Sequence, residues 1–155
     1  MKQSAKKISK AEALLRLQNL CSRTEKSEFE IRKKLLGWGL EKESEMIIAQ
    51  LKNDNFLNPM RFARAFVHDK ITINKWGKIK VRYQLRAHQI DDDIIEKALD
   101  EYDEEIYTDM VNSELQKKRK SIKEKNHFRI RAKLLSFGNQ RGYEASLINQ
   151  FFRNE

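Results

Sequence analysis

The chain has 155 residues and a formal net charge of +9, with 39% hydrophobic and 35% charged residues. That is enough to bury a real core, and apolar residues recur too regularly for a disordered polymer. With only five Gly, one Pro and one Cys, the composition excludes a sheet protein built on frequent tight turns, an intramolecular disulfide and a thiolate metal knuckle.

The abundant residues are helix formers, and an all-α fold is expected. The first ten residues are read as a flexible basic N-terminus (1–10), without a secretory apolar region. The spacing then predicts a helix from Ala11 to Cys21, with Cys21 a small buried hydrophobe. A helix stripe follows at Ile31, Leu35 and Trp38, ending near Gly39, and a further apolar helix carries Met46, Ile47 and Leu51.

This order returns with a period of about 50 residues. Pro59 to His68 is a helix with Asn58 as its candidate N-cap. Lys70 to Gly77 (KITINKWG) reads as a loop, extended in part, because Ile71, Thr72 and Ile73 are β-branched. Val81, Leu85 and His88 repeat the stripe up to the Gln89–Asp91 corner, and Ile94, Ile95, Ala98 and Leu99 supply the helix after it. Glu105 to about Ser121 leads a third copy. Its stripe is Ile130, Leu134 and Phe137, its break Gly138, and its last helix carries Tyr143, Leu147, Ile148 and Phe151. Three tandem imperfect three-helix repeats are therefore expected, at 11–57, 58–103 and 104–155, stacked into an elongated array.

Charge is segregated. Met1 to Ile90 is net +11, Asp91 to Asp109 is net −9, and Met110 to Glu155 is net +7. A uniformly basic surface suits bare DNA; the alternation suits a partner carrying both signs. Lys70, Lys75, Lys78, Lys80, Arg82 and Arg86, interleaved with Trp76 and Tyr83, form one candidate contact cluster. Its individual lysines read better as a solvated face, and Trp76 reads equally as core or as contact. The strip from Gln116 to Lys125, with Lys117, Lys118, Arg119 and Lys120, is either a phosphate-tracking surface or an exposed helix flank. Arg32, Arg82 and Arg131 recur beside the core stripe. They read as stems laid over the core, paired with the next helix, rather than as a line of presented cations. Asp91, Asp92 and Asp93 open a helix and diverge around it, which suits the helix dipole and not chelation. His68, His88 and His127 are scattered, no phosphate-cradling or nucleophile motif is present, and no enzyme is expected.

Two segments carry a family resemblance: RFARAFVHDKITINKWGKIKVRYQL, from Arg61 to Leu85, and SEFEIRKKLLGWG, from Ser27 to Gly39. With the copy order they resemble the RecX regulators of recombination, over about Leu15 to Phe152. Asn58 departs from the acidic residue common there but caps a helix equally well; the third copy is the most degenerate. A single cysteine and no long apolar run make a cytoplasmic chain without membrane contact the expectation, and a monomer without cofactor is expected. The resemblance implies that the repeat array is curved and has no catalysis of its own. It would bind the RecA–DNA filament and inhibit the recombinase in recombination, repair and the SOS response, with weak nonspecific affinity for single- and double-stranded DNA. The alternatives are a nonspecific helical DNA-binding module and a repeat adaptor for proteins.

Overall fold

A computed structural model of the chain describes residues 8–155; the expectation for the N-terminal residues before Ile8 lies outside them. Among the described residues every regular element is a helix: α1 (Lys10–Arg23), α2 (Glu28–Gly37), α3 (Ser44–Asn53), α4 (Pro59–Thr72), α5 (Lys78–Ala87), α6 (Asp92–Glu101), α7 (Glu104–Ser121), α8 (His127–Arg141) and α9 (Ala145–Arg153). Short polar side chains set several starts. Ser9, Asn58, Asp103 and Asn126 each accept a hydrogen bond from the backbone N–H three residues on, satisfying a donor that the helix leaves free. At α2 the cap is reciprocal: Ser27 Oγ accepts from Glu30 N–H at 3.2 Å and Glu30 accepts from Ser27 N–H at 3.3 Å.

The helices fall into three triplets, α1–α3, α4–α6 and α7–α9, and extensive helix packing stays inside each. Ile31, Leu35, Val81, Leu85 and Leu134 are fully buried and Ile130 nearly so, which fits the repeat register. Arg32 pairs with Glu45 on α3, Arg82 with Glu96 on α6, and Arg131 lies over Phe152 on α9. The recurrent arginine thus ties the second helix of each triplet to the third.

Burial divides unequally. Ala13, Leu17, Ile31, Leu35, Ile47, Leu51 and their neighbours form one core in the first triplet. The second and third triplets share a single larger core, running from Phe62 to Phe151. Hydrogen bonds link the first triplet to the second and the second to the third, so the triplets stand in file.

Three boundaries differ from the sequence expectation. Lys70, Ile71 and Thr72 belong to α4, not to a loop. Ala63, Val67 and Ile71 form one buried stripe at four-residue spacing, and its packing outweighs the β preference of the branched side chains. Gly138 does not end the third stripe: it is buried within α8, against Ile148, and the helix stops a turn later at Gly142, whose φ is +86°. Tyr143 accordingly precedes α9. Met46 lies on α3 but is exposed.

Candidate interaction surface

The two seams of the array join the same helix ends through different contacts. The N-terminal end of α2 abuts the C-terminal end of α5: Ser27 Oγ lies 3.0 Å from His88 Nδ1, and Phe29 meets the His88 ring edge-on at 6.3 Å. Arg61 reinforces this seam from α4, donating to Glu25 at 2.6 Å. In the same register, the N-terminal end of α5 abuts the C-terminal end of α8. Gly77 N–H donates to Arg141 O at 2.7 Å, Ile79 N–H donates to Gly142 O at 3.1 Å, and Tyr143 O–H donates to Lys75 O at 2.7 Å. The backbones meet so closely that a Cβ on Gly77 would fall 2.1 Å from Gly142 O. Buried Tyr107 accepts from Lys78 N–H at 2.9 Å and donates to the Glu144 carboxylate. Burial and that carboxylate push its phenol well above the ordinary range, and burial pushes Tyr143 up to about 12.

Against this frame the candidate cations separate into two kinds. In the Lys70–Arg86 cluster most are engaged within the chain. Trp76 is half-buried against the larger core, with the ammonium of Lys70 4.9 Å from its ring centroid and that of Lys80 4.4 Å away. Lys78, 14% exposed, pairs with Glu104 at 2.7 Å and covers the Tyr107 ring. Arg82 holds Glu96 through two bonds of 2.6 and 3.2 Å, which lowers the Glu96 carboxyl and raises the guanidinium. Arg86 pairs with Asp92 at 2.9 Å. Lys75, at φ +60°, gives its carbonyl to Tyr143 and leaves its ammonium without a partner among the described residues. The acidic 91–109 segment thus folds back on the basic arm before it, through Asp92, Glu96 and Glu104.

The 116–125 strip is less neutralised. Lys117 reaches Glu114 at 3.6 Å, Lys118 lies over Phe137, and Arg119 pairs with Glu155 at 3.1 Å. The ammonium groups of Lys120, Lys123 and Lys125 have no partner among the described residues. Arg119, Lys120, His127, Arg131 and Phe152 line an open groove of about 730 Å³ between the end of α7, the start of α8 and the end of α9. Lys123 and Lys125 lie inside the strip the sequence singles out, and Arg119 and Lys120 among its named candidates; which of these charges stay free was not readable there, because pairing partners far along the chain decide it.

Asp91, Asp92 and Asp93 sit at the start of α6, and no grouping of three or more His, Cys, Asp or Glu able to hold a metal occurs among the described residues. Cys21 is buried, and burial raises its thiol. No described helix is long and apolar enough to cross a membrane.

Comparison with known proteins settles what this array is. Residues 60–99, α4 through most of α6, match the family model "RecX, second three-helix domain". A Prosthecochloris aestuarii protein described as "Regulatory protein RecX" is 35% identical over 127 residues, covering 81% of this chain and 82% of the relative. The chain belongs to the RecX family. A Clostridium acetobutylicum protein of the same description is 33% identical over 136 residues, 84% of this chain and 63% of that one. Among solved structures, a regulatory protein RecX superposes with a TM-score of 0.83 at 21% identity, covering 94% of this chain and 71% of its own. RecX from Lactobacillus salivarius gives 0.81 at 18% identity, covering 93% and 94%. These two share the fold of tandem three-helix repeats, and the named relatives make this a regulatory protein.

Proposed function

We propose that the chain binds the nucleoprotein filament of a RecA-type recombinase and restrains its activity, with no catalysis of its own. Family membership supports the regulatory role. The observation that carries the filament reading is the uneven neutralisation of charge. The Lys70–Arg86 arm is largely satisfied internally by the acidic segment, while Lys75 and the end of the array around Lys120, Lys123 and Lys125 keep free cations. The acidic segment uses only part of its charge inside the chain, and exposed Asp91, Asp93 and Asp100 would only repel bare DNA; a partner presenting phosphates beside protein surface meets both signs. Within the candidate site, exposed Lys117 and Lys120 and the half-buried, unpaired Lys75 are available for phosphate or carboxylate contact, Arg119 lines the groove with Lys118 beside it in sequence, and Lys70, Trp76, Lys78, Lys80, Arg82 and Arg86 chiefly shape the surface that presents them. Binding to bare single or double strands is weak and nonspecific, and the chain acts as a monomer in the cytoplasm.

The test is ATP hydrolysis by a RecA-type recombinase on single-stranded DNA, titrated with the chain and with its Lys120→Glu/Lys123→Glu/Lys125→Glu variant. Hydrolysis should fall with the parent, and the variant should require at least about ten times more protein, given the cost of losing several phosphate contacts. Unchanged hydrolysis at saturating parent protein contradicts the reading.

A further inference from the structure

We infer that the second helices of the three triplets form one protein-docking rail, which seats apolar patches of successive filament protomers. The inference rests on the filament reading above and names the surface that meets protein rather than DNA. The two seams set α2, α5 and α8 end to end, N-terminus of one against C-terminus of the next. Each helix buries one stripe, Ile31/Leu35, Val81/Leu85 or Ile130/Leu134. Each also carries at least one exposed apolar side chain on the side turned away from it, and two of these positions recur in two of the three copies.

The exposed residues are Leu36 (60%), Ile79 (48%), Tyr83 (70%), Phe128 (83%) and Leu135 (41%). Leu36 and Leu135 are repeat equivalents, as are Ile79 and Phe128. Nine large apolar side chains are exposed among the described residues, and five of them lie on these three helices. Scattered exposed apolar residues need no explanation, but their concentration on the outer faces of three helices set end to end does. In the first triplet the equivalent of Ile79 and Phe128 is Phe29, which packs against His88 in the seam; the five exposed side chains serve no core, since the core of each triplet closes on the opposite side.

The chemistry of the rail selects its occupant. α5 and α8 contain no Asp or Glu, and α2 has them only in its first turn, where Glu28 pairs with Lys52 and Glu30 with Lys26. Exposed Lys33 and Lys133 stand on the same helices; a hollow beside Leu36 and Lys33 also holds Glu41 and Glu45, of which Glu45 is taken up by Arg32. The fitting partner is therefore an apolar patch rimmed by carboxylates. Three of the five exposed residues are aliphatic, which suits protein side chains better than bases that stack on rings. A partner offering that patch once per protomer along a line is a polymer, and each seated protomer raises the effective concentration for the next.

The experiment is co-sedimentation of the chain with recombinase filaments on single-stranded DNA, beside its affinity for the bare strand. Parent, Leu36→Ser, Tyr83→Ser, Leu135→Ser and the triple combination are compared. Each single change should weaken filament binding about 5–10-fold, as loss of an exposed anchor does, and the triple by more than about 100-fold. Thermal midpoints and bare-strand affinity should stay unchanged. A second variant, Lys33→Glu/Lys133→Glu, reads the same face without altering an apolar residue and should also lose at least about fivefold. Parent-like filament binding by both multiple variants overturns the rail while leaving the filament reading intact. A proportional loss of bare-strand affinity makes the surface a nucleic-acid site and overturns the protein assignment. Absence of binding by the parent overturns the filament reading and the rail together.

Discussion

Leu85 belongs to the larger core and has no exposed surface. Replacing it by Ala should cost about 2–5 kcal/mol, through lost burial and an unfilled cavity, measurable by urea unfolding. The lysines of the basic arm divide by whether the fold already uses them. Lys75→Glu should leave stability within about 0.5 kcal/mol of the parent, because its ammonium is unpaired and its structural role lies in its carbonyl. Lys78→Glu should destabilise by about 1–2 kcal/mol, because a largely buried stem loses Glu104 and sets a carboxylate against it. Equal losses for the two would mean that pairing inside the chain does not distinguish them. None of this was legible in the sequence, where both are single lysines in one basic run; Glu104 is a distant residue that only the fold brings to Lys78.

At the scale of elements, the stripes of period 3.6 were legible, because each helix has one wet face and one dry face. Ile31/Leu35, Val81/Leu85 and Ile130/Leu134 all fall where the repeat places them. The breaks were less so. A glycine signals a helix stop only where backbone must turn left-handed, and Gly138 instead serves close packing against Ile148 while Gly142 makes the turn. Gly77 and Gly142 are also where two triplets touch backbone to backbone, a need that no local pattern announces. Gly77→Ala should therefore open that seam at a cost of about 3 kcal/mol or more, since the obstacle is backbone rather than a movable side chain; a near-neutral result would contradict the seam. The same seam predicts an alkaline limit. Tyr107 and Tyr143 have phenols raised in the folded state, so the folded chain holds those protons more tightly than the unfolded chain. The stability they contribute is fully present below about pH 10 and is lost as pH rises through about 12 for Tyr143 and further for Tyr107. Thermal midpoints should hold through neutral pH and fall above about 10, and the Tyr143→Phe variant should lose part of that fall.

The whole molecule has two cores and two unlike joints. The second and third triplets share apolar packing, whereas the first meets the second through Ser27, Glu25, Arg61 and the His88 ring. Native-state hydrogen exchange should therefore show the first triplet opening at lower free energy than the rest, and Arg61→Ala should widen the difference; uniform protection across all three would contradict separate cores. Fold class and repeat number were legible in the sequence because they follow from patterning. The candidate surface was only partly so, because internal pairing sorts free from engaged cations. The central claim, that the partner is a protein-coated strand, is tested most directly by the affinity of a labelled chain for recombinase filaments and for the same strand bare, across a salt series. Binding to the filament should be at least about 100-fold tighter and should fall less steeply with salt than the bare-strand slope of about −0.7 per phosphate contacted. Equal affinities with equal slopes would make the chain a plain DNA binder and contradict the account.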